Sequence, residues 1–196
     1  MPAYERVVER QDLLRRAAEL SPKTVVVDVE PLVAFWDTSQ ETLDEGLAAV
    51  LGQAATIPGV EVVCFATNSA RRPSVVPAAA GIRVLYMSSA RKPMRIAPYR
   101  NLPRPGIVIG DQVATDGLLA RRLGYTFLHY APRLAGAPAG PRLLQQTGEL
   151  VLPLVFRAPR VRLSTGHCRL RRTIQGFDSS SSAMASRDFT KSENER

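Results

Sequence analysis

An open, mainly parallel α/β sheet is the fold this sequence predicts, and three observations predict it. Short runs of β-branched and apolar residues recur at residues 24–29, 61–66, 83–87, 106–109 and 125–130. The unbroken valines of the first suit a strand buried on both faces, while 125–130 has alternating character. Stretches of helical spacing lie between them, and strands alternating with helices imply right-handed crossovers. Several of the runs lead directly into a polar residue, as in Val27-Asp28, Ala66-Thr67 and Gly110-Asp111. An open parallel sheet binds its ligands in the crevice beyond the carboxyl ends of its strands.

Taken in order, residues 4–20 put Val7, Val8, Gln11, Leu14 and Ala18 near one stripe, with Glu5, Arg6, Glu9 and Arg16 on others. That pattern predicts an amphipathic helix, ended by Ser21-Pro22. Residues 24–29 form the first strand, and residues 41–55 a helix that packs on the sheet through Leu43, Leu47, Val50 and Leu51. The second strand is 61–66. Residues 73–80 are expected to form a short connecting helix, its start limited by Pro73 and Pro77. The third and fourth strands are 83–87 and 106–109. A helix over 116–123 ends at Gly124, which fits its C-cap, and 125–130 is the fifth strand.

Proline, glycine and alanine dominate residues 131–141, as in a loop or hinge. Residues 143–156 are apolar enough for a helix that packs back on the domain or lies at an interface, with a break at Pro153. Residues 164–196 have few large apolar side chains and a serine run, which predicts disorder. The expected organisation is a domain over 1–135, a hinge and apolar segment over 136–163, and a basic, serine-rich tail over 164–196.

A chain of 196 residues with 45% hydrophobic content is sufficient for one ordinary core. Cys64 and Cys168 are far apart and lack a Cys-x-x-Cys setting, which argues against zinc and against a disulfide framework and favours a reducing cytoplasm. The first twenty residues carry charges throughout, and no apolar run approaches the ~20 residues of a membrane span. The formal net charge of +8 attracts anionic partners. Much of it is late, in Arg157, Arg160, Arg162, Arg169, Arg171 and Arg172, with no acidic residue among them. No aromatic-rich RNA-binding signature accompanies these arginines, which weighs against nucleic acid. An anionic membrane touched peripherally remains compatible with them.

The polar residues at the strand ends are a carboxylate (Asp28), a hydroxyl (Thr67) and a second carboxylate (Asp111), with the ammonium of Lys92 on the loop before the fourth strand. Converging in one crevice, they suit phosphoryl transfer to an aspartate assisted by a divalent metal. Asp28 is the candidate nucleophile, Lys92 stabilises developing charge, and Mg2+, a hard cation that prefers oxygen, would lie between Asp28, Asp111 and the phosphate. Thr67 and Asn68 are candidates for binding and orienting the phosphate. Arg71 and Arg72 could touch it or lie on the surface. Asp116 is either a supporting acid that holds Lys92 or a metal-bound water, or a residue that serves a helix N-terminus. His129 and His167 have no catalytic partner recognisable by spacing.

These motifs, in this order, resemble the haloacid-dehalogenase (HAD) superfamily of phosphatases, and within it subfamily IIIA, the YqeG-like branch that includes phosphatidylglycerophosphate phosphatases. Asp28 and Trp36 match the branch's first motif, Asp-Leu-Asp-Asn-Thr-Leu-Val-x-Trp. Thr67-Asn68 followed by Arg71 or Arg72 matches the second, Ala90-Arg91-Lys92-Pro93 the third, and Gly110-Asp111-Gln112-Val113-Ala114-Thr115-Asp116 the fourth. The likeness covers roughly residues 20–135. It implies a Rossmann-like three-layer fold with a minimal or absent cap, since no insertion of cap size separates the first two motifs. It also implies an Mg2+-dependent phosphomonoester hydrolase, with phosphatidylglycerophosphate as one candidate substrate and the Glu30 backbone carbonyl as a further metal ligand.

Two positions depart from the pattern. Glu30 stands where the family's phosphatases carry the aspartate that protonates the leaving alkoxide and then activates water, and Leu32 replaces a threonine. A carboxyl on a stem one methylene longer can overshoot the leaving group, and misplacement by ~1 Å can cost about a hundredfold in rate. The sequence therefore also accommodates a catalytically impaired HAD-fold module that binds phosphate or a partner.

Overall fold

The computed structural model describes residues 3–131 and, beyond them, Gly148, Leu152, Pro153, Val155 and Phe156. The elements run β1 (Tyr4–Val7), α1 (Arg10–Glu19), β2 (Thr24–Asp28), α2 (Gln40–Ala54), β3 (Val62–Ala66), β4 (Arg83–Met87), β5 (Gly106–Gly110), a π-helical turn (Val113–Gly117) leading into α3 (Leu118–Leu123), and β6 (Thr126–Tyr130). The six strands form one sheet in the order β1-β6-β5-β2-β3-β4, and every pairing is parallel. This is an α/β Rossmann-like three-layer fold. These residues belong to a unit spanning Met1–Arg162. The expected hinge after Ala131, most of the apolar segment and the basic tail lie outside the described residues.

The three central strands, β2, β3 and β5, are buried at every position. That burial explains their unbroken valine and isoleucine content, because each face of a central parallel strand meets a helix layer. On one face, Leu13 and Ala17 of α1 and Leu43, Leu47, Val50 and Leu51 of α2 pack on Val25, Val27, Val63, Phe65, Ile107 and Ile109. On the other, Leu119, Ala120 and Leu123 of α3 join Tyr99 and Leu102 over Val26, Cys64 and Val108. Phe156 is buried there too, stacked on Phe127 at 5.8 Å. α2 begins at Ser39, whose hydroxyl accepts from the Thr42 N–H at 3.1 Å, a cap worth about 1 kcal/mol. α3 ends at Gly124, whose φ of 72° is the left-handed geometry expected of a C-cap.

Two expected helices are not formed as predicted. Residues 4–7 are not the start of a helix but an edge strand, paired to β6 with Tyr4 opposite Phe127 and Val7 opposite Tyr130. Tyr4 packs on the α3 face and Val7 on the α1 face, and apolar side chains on both faces of a strand imitate a helical stripe. Within α1 the buried pair is Leu13 and Ala17 rather than Leu14 and Ala18.

The second correction is residues 73–80, which make the β3–β4 crossover without a helix. Pro77 lacks an N–H, its ring would clash with the carbonyl four residues earlier, and it drives Val76 out of the helical region. Contacts from elsewhere hold the segment instead. The Ser74 N–H donates to Asp44 at 3.0 Å, Gln40 to the Arg72 carbonyl at 2.9 Å and the Tyr86 hydroxyl to the Arg71 carbonyl at 3.0 Å.

Candidate functional site

From β2 the chain runs to β3 and β4 on one side of the sheet, while β5, β6 and β1 lie on the other. The strand order reverses between β2 and β5, and the crevice outside the carboxyl ends at such a reversal is where open α/β sheets bind ligands. Asp28 ends β2 and Asp111 follows β5, so the two carboxylates stand on neighbouring strands. Gly110 makes room behind them. A Cβ there would lie 2.4 Å from an Asp116 carboxylate oxygen, and only glycine allows so close an approach.

Lys92 reaches into this crevice. Its Nζ lies 2.8 Å from Asp28 Oδ1 and 2.7 Å from Asp116 Oδ1, and its side chain is 2% exposed. The loop carrying it hangs from the segment after β3. The Ala90 N–H donates to the Thr67 carbonyl at 2.8 Å, and the Asn68 amide grips the Lys92 backbone from both sides, accepting from its N–H at 2.7 Å and donating to its carbonyl at 3.2 Å. Asn68 thus positions Lys92. Flanking it, Ser89 and Arg91 adopt left-handed φ values of 48° and 52°, which carry backbone strain outside glycine.

Four carboxyl groups, Asp28, Glu30, Asp111 and Asp116, are buried around this one ammonium. Burial, and then Asp116 beside it, pushes Asp28 well above the usual carboxylate range, further than Lys92 can pull it down. Burial and Asp116 likewise raise Asp111 to about 7. Burial alone would lower Lys92, but Asp116 and Asp28 together outweigh that and hold it above its ordinary value. One ammonium shared by two carboxylates leaves excess negative charge.

Asp28, Asp111 and Asp116 bring one oxygen each within 4.8 Å of the others. Asp111 Oδ1 is buried with no hydrogen-bond partner among the described residues, and such an orphan is costly unless something meets it. The donor set therefore fits a cation with oxygen ligands.

Glu30 and Thr67 are also brought together. The Thr67 hydroxyl donates to Glu30 Oε2 at 2.6 Å and the Ser69 hydroxyl to Oε1 at 3.3 Å. Leu32 does not face this cluster, being buried in the apolar layer with Val29 and Val33. Arg71 is committed elsewhere, donating to the Phe35, Thr38 and Ser39 carbonyls at 2.7–2.8 Å and so clamping residues 35–39, between β2 and α2. Arg72 donates to the Ser88 hydroxyl at 3.1 Å. Phe35 and Trp36 stand on the clamped loop 47% and 40% exposed.

Three contributors escaped the sequence reading. Ser69 is one. The others are His129 and Tyr4, which support Asp111 from behind: His129 Nε2 lies 3.0 Å from the Asp111 carbonyl and Nδ1 2.9 Å from the Tyr4 hydroxyl. A carbonyl can only accept, so Nε2 carries a proton. The register of β1 against β6 creates this relay, and chain spacing gives no sign of it. Comparison of the chain with protein-family models, with curated proteins and with solved structures finds no match.

Proposed function

We propose that this protein is a magnesium-dependent phosphomonoester hydrolase of the HAD type, acting through an aspartyl-phosphate on Asp28. The observation that carries the reading is the buried set of Asp28, Lys92, Asp111 and Asp116 at the crevice, with one Asp111 oxygen unpartnered. A donor set of carboxylates without histidine or cysteine suits Mg2+. Asp28 and Asp111 would hold the ion with the Glu30 carbonyl, and Asp116 would support them. When bound, Mg2+ neutralises phosphate oxygen charge.

The protein's own groups do the rest. Asp28 attacks phosphorus in line and the bond to the leaving alkoxide breaks, with the alkoxide taking a proton from Glu30. A water, giving its proton back to Glu30, then splits the acyl phosphate and restores Asp28. Lys92 keeps Asp28 oriented and offsets charge on the transferred group. Thr67 offers it a hydroxyl, and Asn68 fixes the loop that delivers Lys92.

A phosphorylated lipid such as phosphatidylglycerophosphate is the substrate the family likeness favours. Exposed Phe35, Trp36 and Met94, with exposed Arg91 and Arg95 beside Met94, give an apolar and cationic border on loops leaving β2 and β4 that supports it. The setting this implies is cytoplasmic, with peripheral contact at an anionic bilayer. No helix among the described residues is long and apolar enough to cross a membrane.

A second reading, a phosphate- or partner-binding module that has lost turnover, is favoured by one observation: both Glu30 oxygens already accept hydroxyls. Phosphate release from an aryl phosphate and from phosphatidylglycerophosphate, with and without Mg2+, separates the two. Turnover by the native chain that Asp28→Asn abolishes supports the hydrolase. Silence from the native chain with activity in Glu30→Asp supports the module, and silence from both rejects the hydrolase.

A further inference from the structure

Thr67 has one hydroxyl proton and two acceptors within reach of it. Its oxygen accepts from the Ser69 N–H at 2.9 Å and lies 2.9 Å from the Ser69 hydroxyl oxygen and 2.6 Å from Glu30 Oε2, and the shorter contact, to the carboxylate, takes the proton. A contact that short to a carboxylate is charge-assisted and stronger than a neutral hydrogen bond. Ser69 completes the arrangement, accepting from the Arg71 N–H at 3.3 Å and donating to the other Glu30 oxygen at 3.3 Å. Thr67 is fully buried and Glu30 is 6% exposed, so water competes poorly for either. The same hydroxyl is the one that a bound phosphate would need.

We infer that Glu30 and a bound phosphate compete for the Thr67 hydroxyl, and that Ser69 is a positioning residue that biases the contest toward Glu30. The inference rests on the phosphate-binding reading above and adds to it a contact that would weaken phosphate retention. Phosphate takes Thr67 only by releasing Glu30, and the released carboxylate must take up a proton before it can turn to the leaving oxygen as an acid. Glu30 has the extra methylene that lets it reach the hydroxyl from the first motif, and Ser69, two residues beyond Thr67, supplies the second anchor.

The test is a double-mutant cycle on the full chain with Mg2+, reading inorganic phosphate affinity by calorimetry, with circular dichroism to verify folding. Glu30→Ala frees the hydroxyl and is expected to tighten phosphate binding by about tenfold, the scale of one charge-assisted hydrogen bond. In a Thr67→Val background the same change should gain less than ~3-fold, because no hydroxyl remains to be released. Ser69→Ala should tighten binding by a few-fold and Ser69→Thr should restore the native value. An equal gain in both backgrounds would reduce the effect to removal of one negative charge and overturn the contest, and an unmoved Ser69→Ala would remove Ser69 from it. If neither the native chain nor any variant binds phosphate, the phosphate-site reading falls along with the contest. Native binding without coupling sinks the contest alone.

Discussion

Lys92 is the residue whose removal the site tolerates least. Its ammonium is the one cation within hydrogen-bond reach of both Asp28 and Asp116 among the described residues, and breaking a buried pair from one side costs about 3–5 kcal/mol. Lys92→Met should therefore destabilise the chain by roughly that amount in denaturant unfolding, and by less at acid pH, where the abandoned carboxylates protonate. A loss below ~1 kcal/mol would place the ammonium outside the site. Asp28, Thr67, Lys92, Asp111 and Asp116 were legible in the sequence because each follows a strand or sits in a compact motif. Ser69, Tyr4 and His129 were not, since their roles depend on hydroxyl orientation and on β1–β6 register. Asn68 and Arg71 were legible as residues but not in their partners, the Lys92 backbone and the carbonyls of loop 35–39.

Among the elements, the five strands from β2 to β6 fall within one residue of the expected bounds at each end: β2, β3 and β5 are written as continuous apolar runs because they are buried throughout, and the partly exposed edge strand β4 was read as well. The other edge and one crossover were harder. β1 borrows its pairing from a strand far away in sequence, and the β3–β4 crossover keeps its place through Asp44, Gln40 and Tyr86 rather than through a helix. Arg71 ties that crossover to the loop bearing Phe35 and Trp36 with three backbone acceptors. Arg71→Met should cost about 1–3 kcal/mol and expose residues 35–39 to limited proteolysis while far-ultraviolet dichroism stays unchanged. Unaltered cleavage would show the loop to be held by its own packing.

For the whole molecule, the buried acids make stability depend on pH and on metal together. Folded Asp111 holds its proton up to about 7 against an ordinary value of 3.8, and Asp28 is displaced in the same direction. Across that window the folded state binds more protons than the unfolded one, so the metal-free protein should lose stability as pH rises, by up to ~1.4 kcal/mol per unit for each such group. Melting temperatures without metal should fall between pH 5 and pH 8, and Mg2+ should flatten that slope by meeting the charge that protons met before. A slope of opposite sign, or one indifferent to Mg2+, would contradict the charge balance assigned to the crevice.

The central claim is that this crevice transfers phosphate to Asp28. The most direct measurement is acid-quenched labelling of the full chain with a radiolabelled phosphomonoester, followed by peptide mapping. The account predicts Mg2+-dependent label, labile to hydroxylamine, on the peptide containing Asp28, and none in Asp28→Asn. Phosphate release that proceeds unchanged in Asp28→Asn, or label on any other residue, would contradict it.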